Sequence, residues 1–264
     1  MSHSLLFRAD PVVVCILLLL GMVVMVILGR VASRMWNKDA DEPKGGVHSL
    51  FGALFAVSGL ILAFSFGMSQ TRLERVRSVV ELEVTAIGTA VMRADLYSDS
   101  VRQAFRLDFK KYADAVIGFY QNAHDQALFN KAREDAANMT TALWARVTQQ
   151  SKLPNMLIPS SQMIPALNNM FDSSQTREIV LNSRVPDLIE YMLFVCLLAT
   201  CFIGGFTSAR FTKKEWIITF GFAIVTTMVV YTTIDLSRPL RGVIRVDEGQ
   251  QAIVDLRKMF QDSD

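Results

Sequence analysis

The chain has 264 residues, a formal net charge of +2 and a hydrophobic share of 51%. That share exceeds the range of roughly 45–50% usual for soluble domains, and it is gathered into four segments with polar sequence between them. The near balance of charge gives no footing for a nucleic-acid partner. Cys15, Cys196 and Cys201 all sit inside apolar segments, which excludes a disulfide framework or a cysteine metal site.

The first apolar segment, 11–29, is nearly pure Val, Ile, Leu and Met. It is too long for the core of a signal peptide, and Arg30, Arg34 and Lys38 follow it in place of a small-residue cleavage site. It reads as a retained, lipid-facing anchor helix with Trp36 at the interface. A loop at 37–46 carries Asp, Pro and Gly-Gly.

The second span, 48–70, completes a first transmembrane hairpin over residues 1–70. It carries no charge between His48 and Arg72 and is long enough to cross a bilayer. At helical spacing, Gly52, Ala56, Gly59, Ala63 and Gly67 form a small-residue seam that lets backbones approach in lipid. Roughly opposite runs a stripe of Phe51, Ser58, Leu62, Ser65, Ser69 and Arg72, with Phe55 beside it. Such a helix suits an aqueous path, with the seam for packing and the hydroxyl and aromatic stripe for lining. Phe51, Phe55 or Leu62 would then form a dewetting constriction. The plainer reading is that the Ser hydroxyls bond their own backbone carbonyls in a packed bundle.

The apolar period continues through Leu73, Val76, Val80, Val84, Ile87 and Val91 without a break before Ser98. One long helix therefore leaves the membrane and enters an all-helical soluble domain, 71–185. Ser98 or Asp99 caps the next helix, with Val101, Phe105, Phe109, Tyr112 and Val116 on its apolar face and a break near 122–125. Residues 151–159 read as a linker, and 160–183 as a helix with Pro165 in its first turns. A second transmembrane hairpin, 186–238, follows, with spans 188–209 and 216–235. Cys196, Thr200, Gly204 and Ser208 give the third span another small seam. The tail, 239–264, carries a short amphipathic helix with Ile253, Leu256 and Phe260 on one side.

Four spans place both termini on the side of the helical domain, read as cytoplasmic. Lys and Arg are nearly balanced between the two sides, so charge asymmetry does not set the orientation. The lack of a disulfide pattern points to a bacterial inner membrane.

No phosphate loop, metal-ligand spacing or nucleophile motif is present, so the chain reads as a protein that is not an enzyme and needs no cofactor or metal. His3, His48 and His124 are isolated. Three polar clusters stand out instead. Glu81, Glu83, Arg93 and Asp95 lie on the long helix, where Glu81, Thr85, Gly88 and Met92 share a face suited to a subunit seam or to solvent. Asn168, Asp172 and Arg184 form the second. Asp235, Arg238, Arg241 and Arg245 close the fourth span, where the helix dipole disfavours Asp235 unless Arg238 or Arg241 pairs with it.

At these clusters the chain resembles the bestrophin-like family. The residues that carry the likeness are Ala86-Ile87-Gly88-Thr89, Met92-Arg93-Ala94-Asp95-Leu96, Leu143-Trp144-Ala145, Pro165-Ala166-Leu167-Asn168, Arg184-Val185-Pro186, Ile234-Asp235-Leu236, Arg238-Pro239, Gly242, Ile244-Arg245 and Leu256-Arg257. Thr85, Ser237 and Leu240 depart from the family pattern. The resemblance implies a fold like that of bestrophins, ring-shaped anion channels with four membrane helices per subunit and a helical cytosolic domain. Their acidic calcium clasp and aromatic neck sequence are not found here.

The expected function is thus an ion channel formed by a homo-oligomer, a tetramer or pentamer in a lipid bilayer, passing a small inorganic ion along the second span. Arg72, Arg75 and Arg77 at its exit favour an anion over a cation, with Glu74, Glu81 and Glu83 as the opposing charges. The alternative is a non-conducting scaffold or sensor whose helical domain binds a protein partner.

Overall fold

The computed structural model describes residues 10–36, 45–122, 125–183, 187–207, 213–238, 240, 251, 255 and 257–260. Among them the regular structure is helical: α1 (Pro11–Trp36), α2 (Gly45–Arg93), α3 (Asp99–Gln121), α4 (Gln126–Ser151), α5 (Leu157–Asn182), α6 (Asp187–Thr207) and α7 (Lys213–Leu236). Short 3-10 turns sit at Ala94–Leu96, Pro154–Met156 and Arg257–Phe260. Four of the helices are long and apolar enough to cross a membrane, namely α1, α2, α6 and α7. The chain divides into two compact units, Met1–Arg72 with Arg184–Ser237, and Leu73–Ser183 with Arg238–Asp264.

In the first unit, the apolar composition of α1, α6 and α7 gives each helix two sides. One side meets at a core of Val14, Leu18, Met22, Val26, Leu193, Leu197, Cys201, Ala223, Val230 and Ile234. The other side of α1 stays open at Val12, Ile16, Leu17, Leu20 and Val24. The helix expected as a simple anchor therefore also builds the core. Its tightest crossing needs two glycines. A Cβ on Gly29 would overlap the Phe202 carbonyl, and one on Gly205 would overlap the Val26 carbonyl. Here α1 and α6 touch backbone to backbone, the approach that small residues permit in lipid.

The second unit forms because each of its helices carries an apolar stripe at helical spacing. The stripes are Val76, Val80, Ile87 and Ala90 on α2, continued by Ala94 in the 3-10 turn, Phe105, Phe109, Tyr112 and Val116 on α3, Leu143 and Val147 on α4, and Met163, Leu167 and Met170 on α5, all buried. Asp125 caps α4 by accepting from the Ala127 and Leu128 amides at 2.9 and 3.1 Å. The linker expected at 151–159 is shorter in the structure. A 3-10 turn opens at Pro154, and α5 starts at Leu157, which leaves Pro165 inside the helix. Tyr97 bonds Ser160 at 3.2 Å, and Arg106 pairs with Asp95 at 2.9 Å. Arg257 of the last 3-10 turn reaches Asp114 at 2.9 Å. Ile253 and Leu256 of the expected amphipathic tail lie outside the described residues.

Candidate functional site

α2 runs unbroken through 49 residues, and its two faces have opposite environments. Ser58, Ser65 and Ser69 are buried, at 3%, 1% and 1% exposure. Ser58 shares a 2.9 Å hydrogen bond with Thr200 of α6. Ser65 donates to the Ile61 carbonyl at 2.8 Å. Phe51 lies over Gly204, whose missing Cβ would stand 3.0 Å from the ring. Phe55 packs on Phe222 of α7 with ring centroids 5.2 Å apart. Leu62 is half-buried against the core, and Arg72 donates to the Ser237 carbonyl. The hydroxyl and aromatic stripe thus holds α2 to α6 and α7 of its own chain, and the small seam of α6 receives it.

The opposite face is open. Gly52, Ala56, Gly59, Ala63 and Gly67 are all exposed, and a Cβ on any of the three glycines would meet nothing within 4 Å. Within the chain, the Ser58 and Ser65 hydroxyls therefore have partners, while the seam's glycines face open space. α2 is also the least covered of the four apolar helices. Only 11% of its most apolar window is buried, against 28–39% for the others.

The helical unit has a buried polar centre. Glu83 sits on the apolar stripe of α2 and Arg177 on that of α5, at 0% and 3% side-chain exposure. Arg177 Nη1 reaches both carboxylate oxygens, at 2.7 and 2.8 Å. Its guanidinium lies 4.6 Å from the Phe119 ring centroid, a cation–π position. Tyr112 adds a long 3.4 Å hydrogen bond to Glu83. Glu83 lies more than three turns beyond the uncharged stretch of α2. Burial drives its carboxyl above the usual range, with the Arg177 charge opposing. Burial and the nearby Glu83 raise the phenols of Tyr112 and Tyr120. Beside this centre a cleft of about 870 Å³ opens between α4 and α5, lined by Arg133, Thr140, Phe171, Ser174, Arg177 and Glu178 among others. Arg133 and Glu178 pair across it.

The remaining sequence-predicted residues are dispersed. Glu81, Asn168 and Asp172 are exposed, Arg93 is half-buried, and Asp95 holds Arg106. Asp235 and Arg238 are buried at 3% and 9% exposure. Arg184, Arg241 and Arg245 lie outside the described residues. The pairing of Glu83 with Arg177 was not expected, although each breaks an apolar stripe with a charge, and that is the signal that would have found it.

A family model described as a Bestrophin-like domain matches residues 15–250. Solved structures share the fold at low identity. Each of the following is a bacterial Bestrophin homolog from Klebsiella pneumoniae. One single-substitution variant matches with TM-score 0.70 and 14% identity, over 94% of this chain and 99% of that one. The structure phased on zinc matches with TM-score 0.67 and 15% identity, over 93% and 98%. A third, another single-substitution variant, matches with TM-score 0.66 and 13% identity, over 95% and 99%. No curated protein matches the chain.

Proposed function

Because the chain belongs to the bestrophin-like family of integral membrane proteins, we propose that it is the subunit of a homo-oligomeric ion channel whose path runs along α2. The observation that carries this reading is the open face of α2. A span that buries only 11% of its apolar window within its own chain is left to meet other copies or a shared path. Four helices do not enclose an aqueous pore by themselves, whereas a ring of tetramer or pentamer size presents one α2 per subunit. With four spans, the helical domain and both termini would share one side, which we read as the cytoplasmic side of a bacterial inner membrane. In this reading Ser58, Ser65 and Ser69 position the lining helix, and Phe55, still 47% exposed, borders the path.

The anion preference expected from the sequence leans on Arg72, Arg75 and Arg77. Of these, Arg72 is turned onto the Ser237 carbonyl, Arg77 is half-buried, and Arg75 is exposed. Ion flux from proteoliposomes tests the reading. Gly59→Leu, on the open face, changes flux, while Glu134→Gln, exposed on α4, leaves it close to wild type. Absence of flux under several pH and divalent-ion conditions refutes the channel and leaves the non-conducting scaffold.

A further inference from the structure

The cleft between α4 and α5 passes from a buried floor to an open rim. Val116 and Phe119 of α3, Ala136 of α4 and Arg177 of α5 line it with 8% exposure or less. Ala137 and Ile179 line it from exposed positions, and Arg133 Nε holds Glu178 Oε1 there at 2.9 Å. Its volume of about 870 Å³ is that of a small-molecule site. Two alanines beside the Phe119 and Phe171 rings give it largely apolar walls.

One polar group of the floor is incompletely used. Arg177 spends Nη1 on both Glu83 oxygens, and Nη2 donates to Ser174 Oγ at a long 3.3 Å. Nε is buried with no hydrogen-bond partner, a condition that buried donors rarely keep. Nε–H and one Nη2–H share an edge of the planar guanidinium, the edge that receives a planar acceptor.

We infer that this cleft binds a small uncharged carbonyl compound, a carboxamide on an aromatic or alicyclic body, whose oxygen accepts from Arg177 Nε. The apolar walls take the body. The charges are already matched in pairs, Arg177 with Glu83 and Arg133 with Glu178. A ligand carboxylate would have to share Arg177 with Glu83, and a ligand ammonium would face the guanidinium. The desolvation cost of either ion is then not recovered. A single water could satisfy Nε, but it would leave the apolar walls wet. The lining belongs to one compact unit, so the site stands whether or not α2 lines an ion path.

Fluorine NMR of 4-fluorobenzamide with the full chain in detergent tests the site. Line broadening on titration gives a dissociation constant of about 1 mM, the scale for a ligand of about ten non-hydrogen atoms. 4-Fluorobenzoate and 4-fluorobenzylamine bind at least about tenfold more weakly. Ala137→Trp fills the cleft from an exposed position and abolishes the broadening, with an unfolding midpoint within roughly 2 °C of wild type. A second readout needs no altered cleft. In arginine-labelled wild type, the Nε–H resonance that is missing from Arg177→Lys shifts with 4-fluorobenzamide and stays in place with the two ions. Equal broadening by Ala137→Trp shows uptake by the micelle and overturns the site, as does absence of broadening by wild type. Benzoate binding as tightly as the amide overturns the uncharged class. Broadening with an unmoved Arg177 resonance overturns the role of Nε. None of these results bears on ion flux, which stands or falls separately.

Discussion

Replacing Arg177 with methionine leaves Glu83 as a fully buried carboxylate whose strongest partner is gone. The two hydrogen bonds from Nη1, at 2.7 and 2.8 Å, disappear. What remains is the 3.4 Å contact from Tyr112, too long to hold an ion. Removing one member of a buried pair costs about 3–5 kcal/mol, and the lost stacking on Phe119 adds to this. For a helical body of roughly 110 residues, with unfolding entropy near 2.1 cal/mol/K per residue, that corresponds to a fall in midpoint of roughly 13–22 °C. The assay is thermal unfolding of the purified protein in detergent, followed by helical circular dichroism at one fixed scan rate, because membrane proteins often unfold irreversibly. The double variant Glu83→Leu/Arg177→Met is the decisive companion. Exchanging the whole pair for apolar groups removes the desolvation cost of both charges and recovers most of the loss. A single variant within 2 °C of wild type refutes the buried pair (a threshold of about 0.5 kcal/mol on the same scale), and so does a double variant less stable than either single.

Other expectations are independent of that pair. Tyr112 and Tyr120 have phenols raised by burial, so the folded state keeps protons that the unfolded state releases. Stability is therefore full below the ordinary phenol range near pH 10 and falls as pH rises through it; an alkaline unfolding titration shows this, and Tyr112→Phe flattens the slope. Gly29→Ala and Gly205→Ala force the α1–α6 crossing apart and cost about 1–3 kcal/mol, read as a lower aggregation temperature in detergent. Gly52→Ala and Gly67→Ala, facing open space, leave the same temperature unchanged. Asp125→Ala removes two amide bonds from the start of α4 and costs about 1 kcal/mol, a fall of several degrees in the same unfolding scan.

The period of the sequence carried the architecture. The continuous apolar stripe from Leu73 to Ala94 announced a helix that does not stop at the membrane edge, and α2 ends at Arg93. Ser98 and the break near 122–125 marked the ends of α3, because turn residues punctuate helices locally. Tertiary partners were less legible. Period alone shows that α2 has a small face and a hydroxyl face, and it cannot say which one its own chain covers. That depends on Thr200, Gly204 and Phe222, more than 130 residues away, which happen to match the hydroxyl face. The partner of Glu83 was hidden for the same reason, since Arg177 lies 94 positions on. The composition of the stripes still held the clue: a carboxylate among Val76, Val80, Ile87 and Ala90, and a guanidinium following Met163, Leu167 and Met170.

The two glycines at the α1–α6 crossing also fix what can move. With carbonyl oxygens set against Cα atoms, neither helix has room for a side chain at its crossing glycine, so the two backbones meet in a single tight register. α2 is fastened to that frame and to α7 by side chains, through Ser58 with Thr200, Phe51 over Gly204, Phe55 on Phe222, Arg72 with Ser237, and Ile61 and Leu62 against the core. Each of these fastenings is worth no more than a surface-like contact, about 1 kcal/mol for an interhelical hydroxyl pair in lipid. Beyond that stretch the same helix is locked, since Val76, Val80, Glu83, Ile87 and Ala90 are fully buried, so one continuous helix is loosely held along its first half and firmly held along its second.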